Sequence, residues 1–539
     1  IKSTMDYTPK QLTFDAEARH HLSEGIRKIS RAVKSTLGPR GKTVLIESQH
    51  HTRGMTITKD GVTVARSIDL LHPLENLAVR LVKEAADRTA TTAGDGTTTA
   101  IVLTEAIATR GMSLITDDVN ATEVIREINI MSAKIIERLQ KRARKVTPRR
   151  LADVAAISAN NDSNLGDIIA KAYKSVGDNG LVTVEKSMSE DTYCEITDGI
   201  KVDRGYANKL FVNNQRKDEC ILEDVHILLS DHEISNVLSI EGILKPIIQG
   251  GHRLLIVAPC TGNVVNTLAA NVVKNGLKVC VISPPQFGYK QHELMGDIAV
   301  SVGGRFISES MGDDLSLLTM SDLGRAEKVI VGKESTIIVR ADTTTDQVGE
   351  RVKELWGAHD ASSKISDRDF IKQRIASLTG GIGIIYVGGN SDIEQKEIYD
   401  RVDDAVCAVR SALEEGILPG GGLALWHESN IYYIMQHDAA LSVEQRIAAA
   451  IMGYAMSAPL TQILENAGLN VEEIMFDIQE DENYGYDVKG MRYGDMYKMG
   501  IIDPLKVTKN ALKNAVSVAT TILSTNAVVT LARAYDDGQ

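Results

Sequence analysis

The hexapeptide Gly94–Thr99, of sequence GDGTTT, constrains this chain more than any other stretch. Apolar residues at helical spacing precede it and a second helical run starts at Thr97, so the pattern predicts a turn between two helices. Its two glycines permit positive φ and let another group approach the backbone closely. The free N–H groups of the second helix, beside three threonine hydroxyls, suit an anion.

A carboxylate at the centre of an anion site needs a cation beside it. Asp95 holds that central position. The combination is typical of a phosphate chain bridged to a carboxylate by Mg²⁺. The alternative is an ordinary corner between two helices, capped by Asp and Thr. The hexapeptide alone leaves both interpretations open.

The composition limits the class of protein. A chain of 539 residues exceeds what a single core supports, so we expect about two to four domains. Aromatic residues make up only 4%, so the core has to consist mainly of Ile, Leu, Val and Ala, which favours helices over all-β sandwiches. The net charge of −12 argues against a nucleic-acid partner, because such binding needs a basic face.

The cysteines and the apolar runs indicate the compartment. Five cysteines are scattered without C-x-x-C spacing, which argues against a zinc site or a disulfide framework and favours a reducing environment. No run approaches the ~18 apolar residues of a membrane span, and the first residues, IKSTMDY, contain no apolar signal region. We therefore expect a cytoplasmic protein without a membrane partner. The basic stretch 141–150 predicts a solvated helix end followed by a hinge, the alternative being a nucleic-acid patch.

The order of segments predicts a helical, then an α/β, then a helical region. Helices are expected over 15–36, 75–144 and 392–415 and from 423 to about 532, and a charged helix over 345–378. Short β-rich runs with helices near 236–249 and 262–275 predict a parallel-sheet module from about 180 onward. Asp60-Gly61 predicts a hairpin turn, and residues 379–383 predict a flexible joint before a strand. The fold class expected is multidomain α and α/β, with one helical domain built from both chain ends.

Four features could form one site: Gly38-Pro39, Asp60-Gly61, the hexapeptide, and the three glycines Gly420–Gly422. Three of them offer small-residue backbone to phosphates and two bring a carboxylate. Asp403-Asp404 lies across a joint at Gly416, so a carboxylate there could reach a nucleotide only when that joint closes, which would make hydrolysis conditional on domain movement. A charged helix face is the alternative for this pair.

The chain resembles a group I chaperonin, the bacterial GroEL type, over nearly its whole length. The stretch 198–382 shows no obvious inserted lid segment of the archaeal type. Motifs that carry the resemblance are TLGPRG from Thr36, TKDGV from Thr58, GDGTTTA from Gly94, ISAN from Ile157, VDRGY from Val202, RVDDA from Arg401, Gly420–Gly422, and Asp503-Pro504.

The resemblance implies an ATPase that assembles into homo-oligomeric rings of seven subunits and encloses non-native protein clients. It implies equatorial (1–144 and 415–539), intermediate (145–197 and 383–414) and apical (198–382) domains. Asp95 would hold Mg²⁺, Asp404 would activate or orient the attacking water, and Asp60 would assist. A K⁺ ion near the carbonyls of Thr36 and Lys59 and the side chain of Thr98 is also implied. The cofactor-binding residues would be Leu37, Gly38, Pro39, Lys59, Gly61, Gly94, Gly96, Thr97, Thr98, Thr99, Gly421, Asp487, Val488, Ile501 and Asp503.

The sequence also departs from the family. Asp487-Val488-Lys489 replaces the usual Asn-Ala-Ala against the adenine, so base contacts are expected to differ. Thr461 and Asn470 replace an Arg and a Glu that pair between rings, which makes a double ring less secure than a single one. Such divergence suggests a specialised or virus-encoded copy.

The client groove departs as well. Glu241 stands where the family has Leu, and two alanines replace larger aliphatics, so groove binding and the need for a lid protein come into question. A ring-forming ATPase scaffold with weakened client binding is therefore the alternative function. An unrelated ATP-dependent enzyme, such as a kinase, is disfavoured by the absence of a Walker or kinase signature. The groove would map to Tyr206, Leu210, Phe211, Leu244, Val265, Ala269 and Ala270.

Overall fold

A computed structural model describes residues 10–47, 55–116, 118–177, 181–187, 189–215, 218–340, 345–361, 365–478 and 481–531. The expectations for the first residues of the chain and for a helix as far as 532 fall partly outside these ranges. The chain divides into two compact units. We call the unit of residues 1–170, 184–193 and 386–539 the helical unit, and that of residues 171–183 and 194–385 the α/β unit. The division into three domains stays a prediction.

Helices account for most of the helical unit and also occur in the α/β unit. In chain order the described helices are α1 (Asp15–Lys34), α2 (Gly61–Ser67), α3 (Pro73–Ala93), α4 (Thr97–Leu114), α5 (Ala121–Arg142), α6 (Leu151–Ser158), α7 (Ser163–Val176), α8 (Glu241–Gly250), α9 (Gly262–Asn275), α10 (Tyr289–Val302), α11 (Thr345–Ala361), α12 (Ile365–Thr379), α13 (Asp392–Glu415), α14 (Leu423–Met435), α15 (Val443–Asn466), α16 (Val471–Asp477) and α17 (Leu505–Leu523). Of these, the α/β unit contains α8 to α12.

Strands form the centre of the α/β unit and small pairs in the helical unit. The described strands are β1 (Lys10–Phe14), β2 (Val44–Glu47), β3 (Met55–Thr58), β4 (Leu181–Lys186), β5 (Tyr193–Val202), β6 (Cys220–Ser230), β7 (Arg253–Val257), β8 (Val279–Ile282), β9 (Phe306–Ile307), β10 (Gly324–Val331), β11 (Thr336–Arg340), β12 (Gly381–Val387), β13 (Ile417–Pro419), β14 (Tyr484–Asp487), β15 (Arg492–Asp495), β16 (Ile502–Pro504) and β17 (Ala527–Leu531).

The core of the helical unit is made of Ala, Ile, Val and Leu from both chain ends, as the low aromatic content predicts. Helices α1, α3, α4 and α5 contribute, and so do α15 and α17. Small side chains let these helices approach closely; a Cβ added at Gly25 in α1 would lie 2.3 Å from the carbonyl oxygen of Glu75 in α3. Within the described residues, α15 is long and apolar enough to cross a membrane, and 67% of its apolar window is buried inside the protein.

Several expectations about local structure are wrong. Asp60-Gly61 makes no hairpin turn, because Asp60 is the N-cap of α2; the hairpin in this region pairs β2 with β3. Residues 484–504 are not helical, since they form the β14–β15 pair and strand β16, which pairs with β13. The glycine-rich segment 379–383 is not a joint before a strand, because β12 already begins at Gly381.

The sheet of the α/β unit is mixed, whereas the alternation of strands and helices predicted a parallel one. Strands β6, β7 and β8 are parallel neighbours, and α9 connects β7 to β8. Towards the other edge, β6, β10, β11 and β5 follow one another with antiparallel pairing. The strand β6 is one continuous element, where the sequence predicted two short runs.

Most of the described side chains in the basic stretch 141–150 are paired inside the helical unit. Arg142 contacts the buried carboxylate of Glu428 at 3.4 Å and Glu482 at 3.2 Å. Arg144 stacks over the ring of Tyr497, with 4.2 Å from its guanidinium carbon to the ring centroid. These contacts agree with a helix end and not with a free basic patch.

Candidate functional site

A cavity of about 290 Å³ in the helical unit collects the predicted site residues. It is lined by segments that are distant in sequence and that come from both ends of the chain. All the residues predicted to bind the cofactor or the metal or to take part in catalysis line this cavity, except Gly94. The lining residues come from segments 36–39, 58–61, 95–99, 157–161, 397–404 (where residues 397, 400, 401 and 404 line the cavity), 419–425, 459–463, 486–489 and 501–511 and from Met496.

The hexapeptide forms the predicted corner between α3 and α4. Gly94 has φ 75° and ends α3, with its N–H bonded to the carbonyl of Ala90, while Gly96 has φ 82° and is the N-cap of α4. Both positions require the left-handed conformation that glycine adopts without strain. No side chain caps α4, so the N–H groups of its first turn remain available at the cavity.

Gly94 itself lies behind the cavity wall. A Cβ at this position would be 2.3 Å from Cβ of Cys407 in α13. A Cβ at Gly96 would likewise be 2.5 Å from a methyl group of Val507 in α17. The two glycines therefore hold the turn against two other helices, and between them only Asp95 projects a side chain into the cavity.

Asp95 is half-buried and accepts hydrogen bonds on both carboxylate oxygens. The N–H of Gly96 donates to Oδ1 at 2.5 Å, and the hydroxyl of Ser158 donates a short hydrogen bond to Oδ2. Burial raises the pKa of Asp95 although these two bonds lower it, and the charge of Asp60 raises it further. A carboxylate in this setting gains if a cation is brought next to it.

Asp60 is held as a helix cap at the edge of the same cavity. Its carboxylate accepts hydrogen bonds from the N–H groups of Val62 (3.1 Å) and Thr63 (2.9 Å) and from the Thr63 hydroxyl (2.6 Å). The next residue, Gly61, leaves no room for a side chain, because a Cβ there would lie 2.1 Å from Oγ1 of Thr98. The start of α2 is thus packed directly on the first turn of α4.

Asp404 on α13 lines the cavity together with Asp60 and Asp95. Burial raises the pKa of Asp404 well above its usual value, and the charges of Asp60 and Asp95 raise it further. Three carboxylates therefore converge on one enclosed space. The hypothesis that Asp404 reaches the site only after a joint closes is not needed for this conformation, since Asp404 and the other two belong to the same unit.

The loop after α1 forms a second wall. Nδ2 of Asn466 donates to the carbonyl oxygens of Lys34 (2.8 Å) and Leu37 (2.9 Å), which fixes the loop to the end of α15. Gly38 has φ 84° and packs against Ile463. This geometry leaves Leu37, Gly38 and Pro39 lining the cavity.

The glycine triplet and Asp503 form the third wall. Gly421 and Gly422 have φ 66° and 79°, and their N–H groups donate to the carboxylate of Asp503. Burial and the charge of Asp95 nevertheless raise the pKa of Asp503 to about 7. Ile501 lines the cavity together with Asp503, and Gly421 leaves the cavity open there because it has no side chain.

The remaining wall combines Asn160 and Asn161, for which no role was predicted, with the predicted segment from Asp487 to Lys489. Asn160 and Asn161 both have positive φ (60° and 62°), an uncommon conformation that often marks functional sites. Nζ of Lys489 donates to the carbonyl oxygen of Asn161 at 2.9 Å, and Asp487 bonds the N–H groups of its own turn. Ser158 and Asn160 belong to the ISAN motif that the sequence shows, but only the fold reveals that Ser158 contacts Asp95.

The comparisons with known proteins decide the family. The sequence model of the TCP-1/cpn60 chaperonin family matches residues 29–533. The chain belongs to the TCP-1/cpn60 chaperonin family. The resemblance to a divergent chaperonin inferred from the motifs is thereby confirmed, as is the multidomain α and α/β fold class.

Solved chaperonin structures share the fold. Two crystal forms of the chaperonin gp146 from the bacteriophage EL 2 (Pseudomonas aeruginosa), both in the presence of ATP-BeFx, match at 23% identity over 97% of this chain and 99% of that chain. The TM-scores are 0.68 for form II and 0.62 for form I. At this identity the likeness concerns the fold.

The residues predicted to bind clients lie in the α/β unit of this chaperonin, and most are buried there. Phe211, Leu244, Val265 and Ala269 belong to the hydrophobic core of that unit. Leu210 is 52% exposed, while Ala270 and Tyr206 are half-buried. The hydroxyl of Tyr206 donates to Asp218 at 2.9 Å. In this conformation the structure does not bring the seven residues together into an exposed apolar groove.

The outer face of α9 is polar. Asn263, Asn266, Thr267 and Lys274 are exposed, and the side chain of Asn266 accepts a hydrogen bond from Asn208 at 3.1 Å. On α8, Glu241 forms an ion pair with Lys245 at 2.8 Å. A face of this kind offers hydrogen bonds and charge where burial of apolar side chains would need aliphatic surface.

Proposed function

We propose that this chaperonin hydrolyses ATP in the cavity of the helical unit and uses the hydrolysis to drive folding of enclosed non-native proteins. The observation that carries the proposal is the convergence of Asp60, Asp95 and Asp404 on an uncapped helix start in one enclosed space. Backbone N–H groups and a helix N-terminus bind phosphates, and carboxylates recruit the cation that phosphates require. The ATP-BeFx in the phage chaperonin crystals supports a nucleotide as the ligand.

Mg²⁺ fits the donor set. Asp95 is a half-buried carboxylate with raised pKa beside other carboxylates, and the ligand atoms around it are oxygens, which Mg²⁺ prefers. Asp95 would hold the ion, with Ser158 orienting the carboxylate. When bound, Mg²⁺ neutralises charge on the phosphate oxygens.

Asp404 is assigned to the attacking water. In phosphoryl transfer the protein contributes mainly positioning and charge stabilisation, and a carboxylate that orients the nucleophile is one of the recurring parts. Asp404 accepts the hydrogen bond of the water, Asp60 supports it, and Thr97, Thr98 and Thr99 bind phosphate oxygens. Thr36, Lys59 and Thr98 all line the cavity, which agrees with a K⁺ site there.

The opposite end of the cavity is assigned to the nucleoside. Asp503 and Gly421 would contact the ribose, and Ile501 with the segment from Asp487 to Lys489 would contact the base. Nζ of Lys489 donates to the carbonyl oxygen of Asn161, so the Lys489 side chain completes the cavity wall next to the proposed base position. This arrangement accounts for a base pocket without the family's usual Asn-Ala-Ala.

Ring assembly and a cytoplasmic location follow from the family alone, and we propose both, with seven subunits by resemblance. Thr461 and Asn470 form local hydrogen bonds, Thr461 to the carbonyl of Ser457 (3.0 Å) and Asn470 as the N-cap of α16. Both side chains therefore serve their own helices, which supports a single ring over a double one. Dependence on a separate lid protein is left open.

A second candidate is a ring-forming ATPase scaffold with weakened client binding. The buried groove residues and the polar face of α9 favour it. The two candidates share the ATPase and differ in what the α/β unit binds, so the experiment has to measure hydrolysis and refolding together.

The test compares Asp404→Ala with Asp403→Ala, a neighbouring carboxylate that does not line the cavity. ATP turnover of Asp404→Ala should fall by about 10²–10⁴-fold while ATP still binds, and Asp403→Ala should hydrolyse ATP like the wild type. Refolding of a denatured client by the wild type, lost in Asp404→Ala, supports the chaperonin; hydrolysis without refolding supports the scaffold. Unchanged hydrolysis in Asp404→Ala would end the assignment of Asp404.

A further inference from the structure

We propose that His21, His72 and Glu75 form a binding site for a divalent transition-metal ion of the Zn²⁺ type. Each residue offers one ligand atom, and these atoms all lie within 4.8 Å of one another. The site is in the helical unit, and none of the three residues lines the nucleotide cavity. It is independent of the proposed ATPase.

The two imidazoles contact each other, and His21 also contacts the exposed ring of His20. Their rings stack with centroids 4.3 Å apart and an interplanar angle of 19°. Nδ1 of His21 and Nδ1 of His72 are both buried and have no hydrogen-bond partner. A buried imidazole nitrogen without a partner is costly, and coordination of a metal ion is one way to satisfy it.

The position of His72 argues against a purely local role. It is the N-cap of α3, where Ser, Thr, Asp or Asn would normally bond the first turn, yet its side chain makes no capping bond. Pro73 follows it at the start of the helix, and Glu75 stands on the same first turn. The helix start thus presents an imidazole and a carboxylate side by side towards His21 on α1.

Tight helix packing holds the three residues in place. Gly25, one turn after His21 on α1, lies so close to α3 that a Cβ there would be 2.3 Å from the Glu75 carbonyl oxygen. Lys28 on the following turn donates from Nζ to Oε2 of Glu75 at 2.6 Å. Because the backbones are fixed, only side-chain rotation separates the present arrangement from a coordinating one.

The donor set selects the class of ion. Two imidazoles and one carboxylate suit Zn²⁺, Co²⁺ or Ni²⁺, whereas Mg²⁺ and Ca²⁺ prefer oxygen alone. Ligand atoms around tetrahedral Zn²⁺ at about 2.0–2.1 Å are roughly 3.3 Å apart. The atoms need to close by at most about 1.5 Å, and a three-residue set leaves a further position for water.

The test titrates Zn²⁺ into nucleotide-free full-length protein by isothermal calorimetry, with excess Mg²⁺ present to occupy carboxylate sites. The wild type should bind one Zn²⁺ per chain, and His21→Gln and His72→Gln should each weaken binding by at least about tenfold. His20→Gln is the matched control, because this exposed imidazole is adjacent in sequence but outside the cluster, and it should bind like the wild type.

Two further measurements keep the outcome decisive. Zn²⁺ should raise the thermal unfolding midpoint of the wild type and of His20→Gln but not of His72→Gln, and bound Co²⁺ should give visible d–d absorption that His72→Gln lacks. Unfolding curves in chelator show whether each variant is folded. The proposal is overturned if the wild type binds Zn²⁺ no better than His72→Gln, or if His20→Gln loses as much as the other two.

Discussion

The cavity of the helical unit and the client groove of the α/β unit were both assigned by resemblance, yet the structure treats their residues differently. In the cavity, Asp60, Asp95 and Asp404 meet around an uncapped helix start, as the motifs predicted. On α9, Asn263, Asn266, Thr267 and Lys274 are exposed polar residues and Val273 is an exposed apolar one, while Phe211, Leu244, Val265 and Ala269 of the supposed groove are buried.

The difference follows from what each function demands of the chain. A phosphate site uses backbone N–H groups, a few carboxylates and positions where only glycine fits, so each residue is fixed by local geometry. A surface that binds unfolded protein needs exposed apolar area, which many sequences provide and which is lost by single substitutions to polar residues. Motifs therefore suffice to bring the predicted nucleotide residues to one cavity, whereas they do not specify which apolar residues of the client groove are exposed.

The sharpest way to break this contrast compares one glycine from each region. In Gly61→Ala the new Cβ would lie 2.1 Å from Oγ1 of Thr98 and 3.3 Å from a Val33 methyl group, so Thr98 has to leave its position in the cavity wall, where we propose that it binds phosphate. We expect ATP affinity to fall by at least about tenfold, the equivalent of one charge-assisted hydrogen bond. The measurement is a calorimetric ATP titration.

The matched control is Gly262→Ala at the start of α9, where an added Cβ meets nothing within 4 Å. It should bind ATP like the wild type and unfold at the same or a slightly higher temperature, because alanine favours the helix. Equal ATP affinities in the two variants would contradict the idea that the cavity tolerates no added side chain at Gly61 while α9 tolerates one at Gly262.

A second prediction restores apolar surface to the outer face. Asn263 and Thr267 are four residues apart and exposed on the same side of α9. The double variant Asn263→Leu, Thr267→Leu should bind a denatured client about tenfold more tightly, since each leucine side chain contributes up to about 1.5–3 kcal/mol when fully buried. The measurement is fluorescence anisotropy of a labelled, permanently unfolded protein.

Asn263→Gln, Thr267→Ser serves as the control for that pair, because it keeps both positions polar. Its affinity for the client should equal that of the wild type. If the leucine variant binds the client no better than this control, the outer face of α9 is not the client surface. The polarity of that face would then no longer be an argument for the scaffold function.

The sequence was sufficient for the elements with strong local signals. The helix–turn–helix around Asp95 was predictable because two glycines at adjacent helix ends admit few other structures, and α13 was predictable from its unbroken helical pattern. Asp60-Gly61 was misjudged because Asp followed by Gly is both a turn signal and a helix cap, and only the following run of VTVARS, which becomes helical in contact with α3, decides between them.

Other features depend on contacts between distant segments. The bond from Ser158 to Asp95 and that from Asn466 to Leu37 join residues whose local sequence carries no sign of the partner. The polarity of β14 and β15 hid a strand pair, in which the rings of Tyr484 and Tyr486 both contact the ring of Tyr493. Burial of Phe211 and Leu244 likewise depends on the sheet beneath them, which periodicity alone does not reveal.

The last prediction concerns the acid sensitivity of the helical unit. Burial and the nearby charge of Arg142 lower the pKa of His427 in the helical unit to about 4, although Glu482 and Asp481 act in the opposite direction. The unfolded chain, with a histidine pKa of about 6.5, binds this proton more readily. His427 should therefore lower the free energy of unfolding by roughly 2 kcal/mol as pH falls from about 6.5 to about 4, after allowance for partial exposure, whereas the raised pKa values of Asp95, Asp404 and Asp503 act in the opposite direction.

The two tryptophans allow each unit to be followed separately, because Trp426 lies in the helical unit and Trp356 in the α/β unit. In a Trp356→Phe background, the free energy of unfolding monitored by Trp426 at pH 4, relative to that at pH 6.5, should be higher by about that amount when His427 is changed to Gln. The exposed His437→Gln variant should keep the pH dependence of the wild type. If His427→Gln and His437→Gln titrate alike, the acid sensitivity of the helical unit lies elsewhere, and the carboxylates of the cavity become the groups to examine.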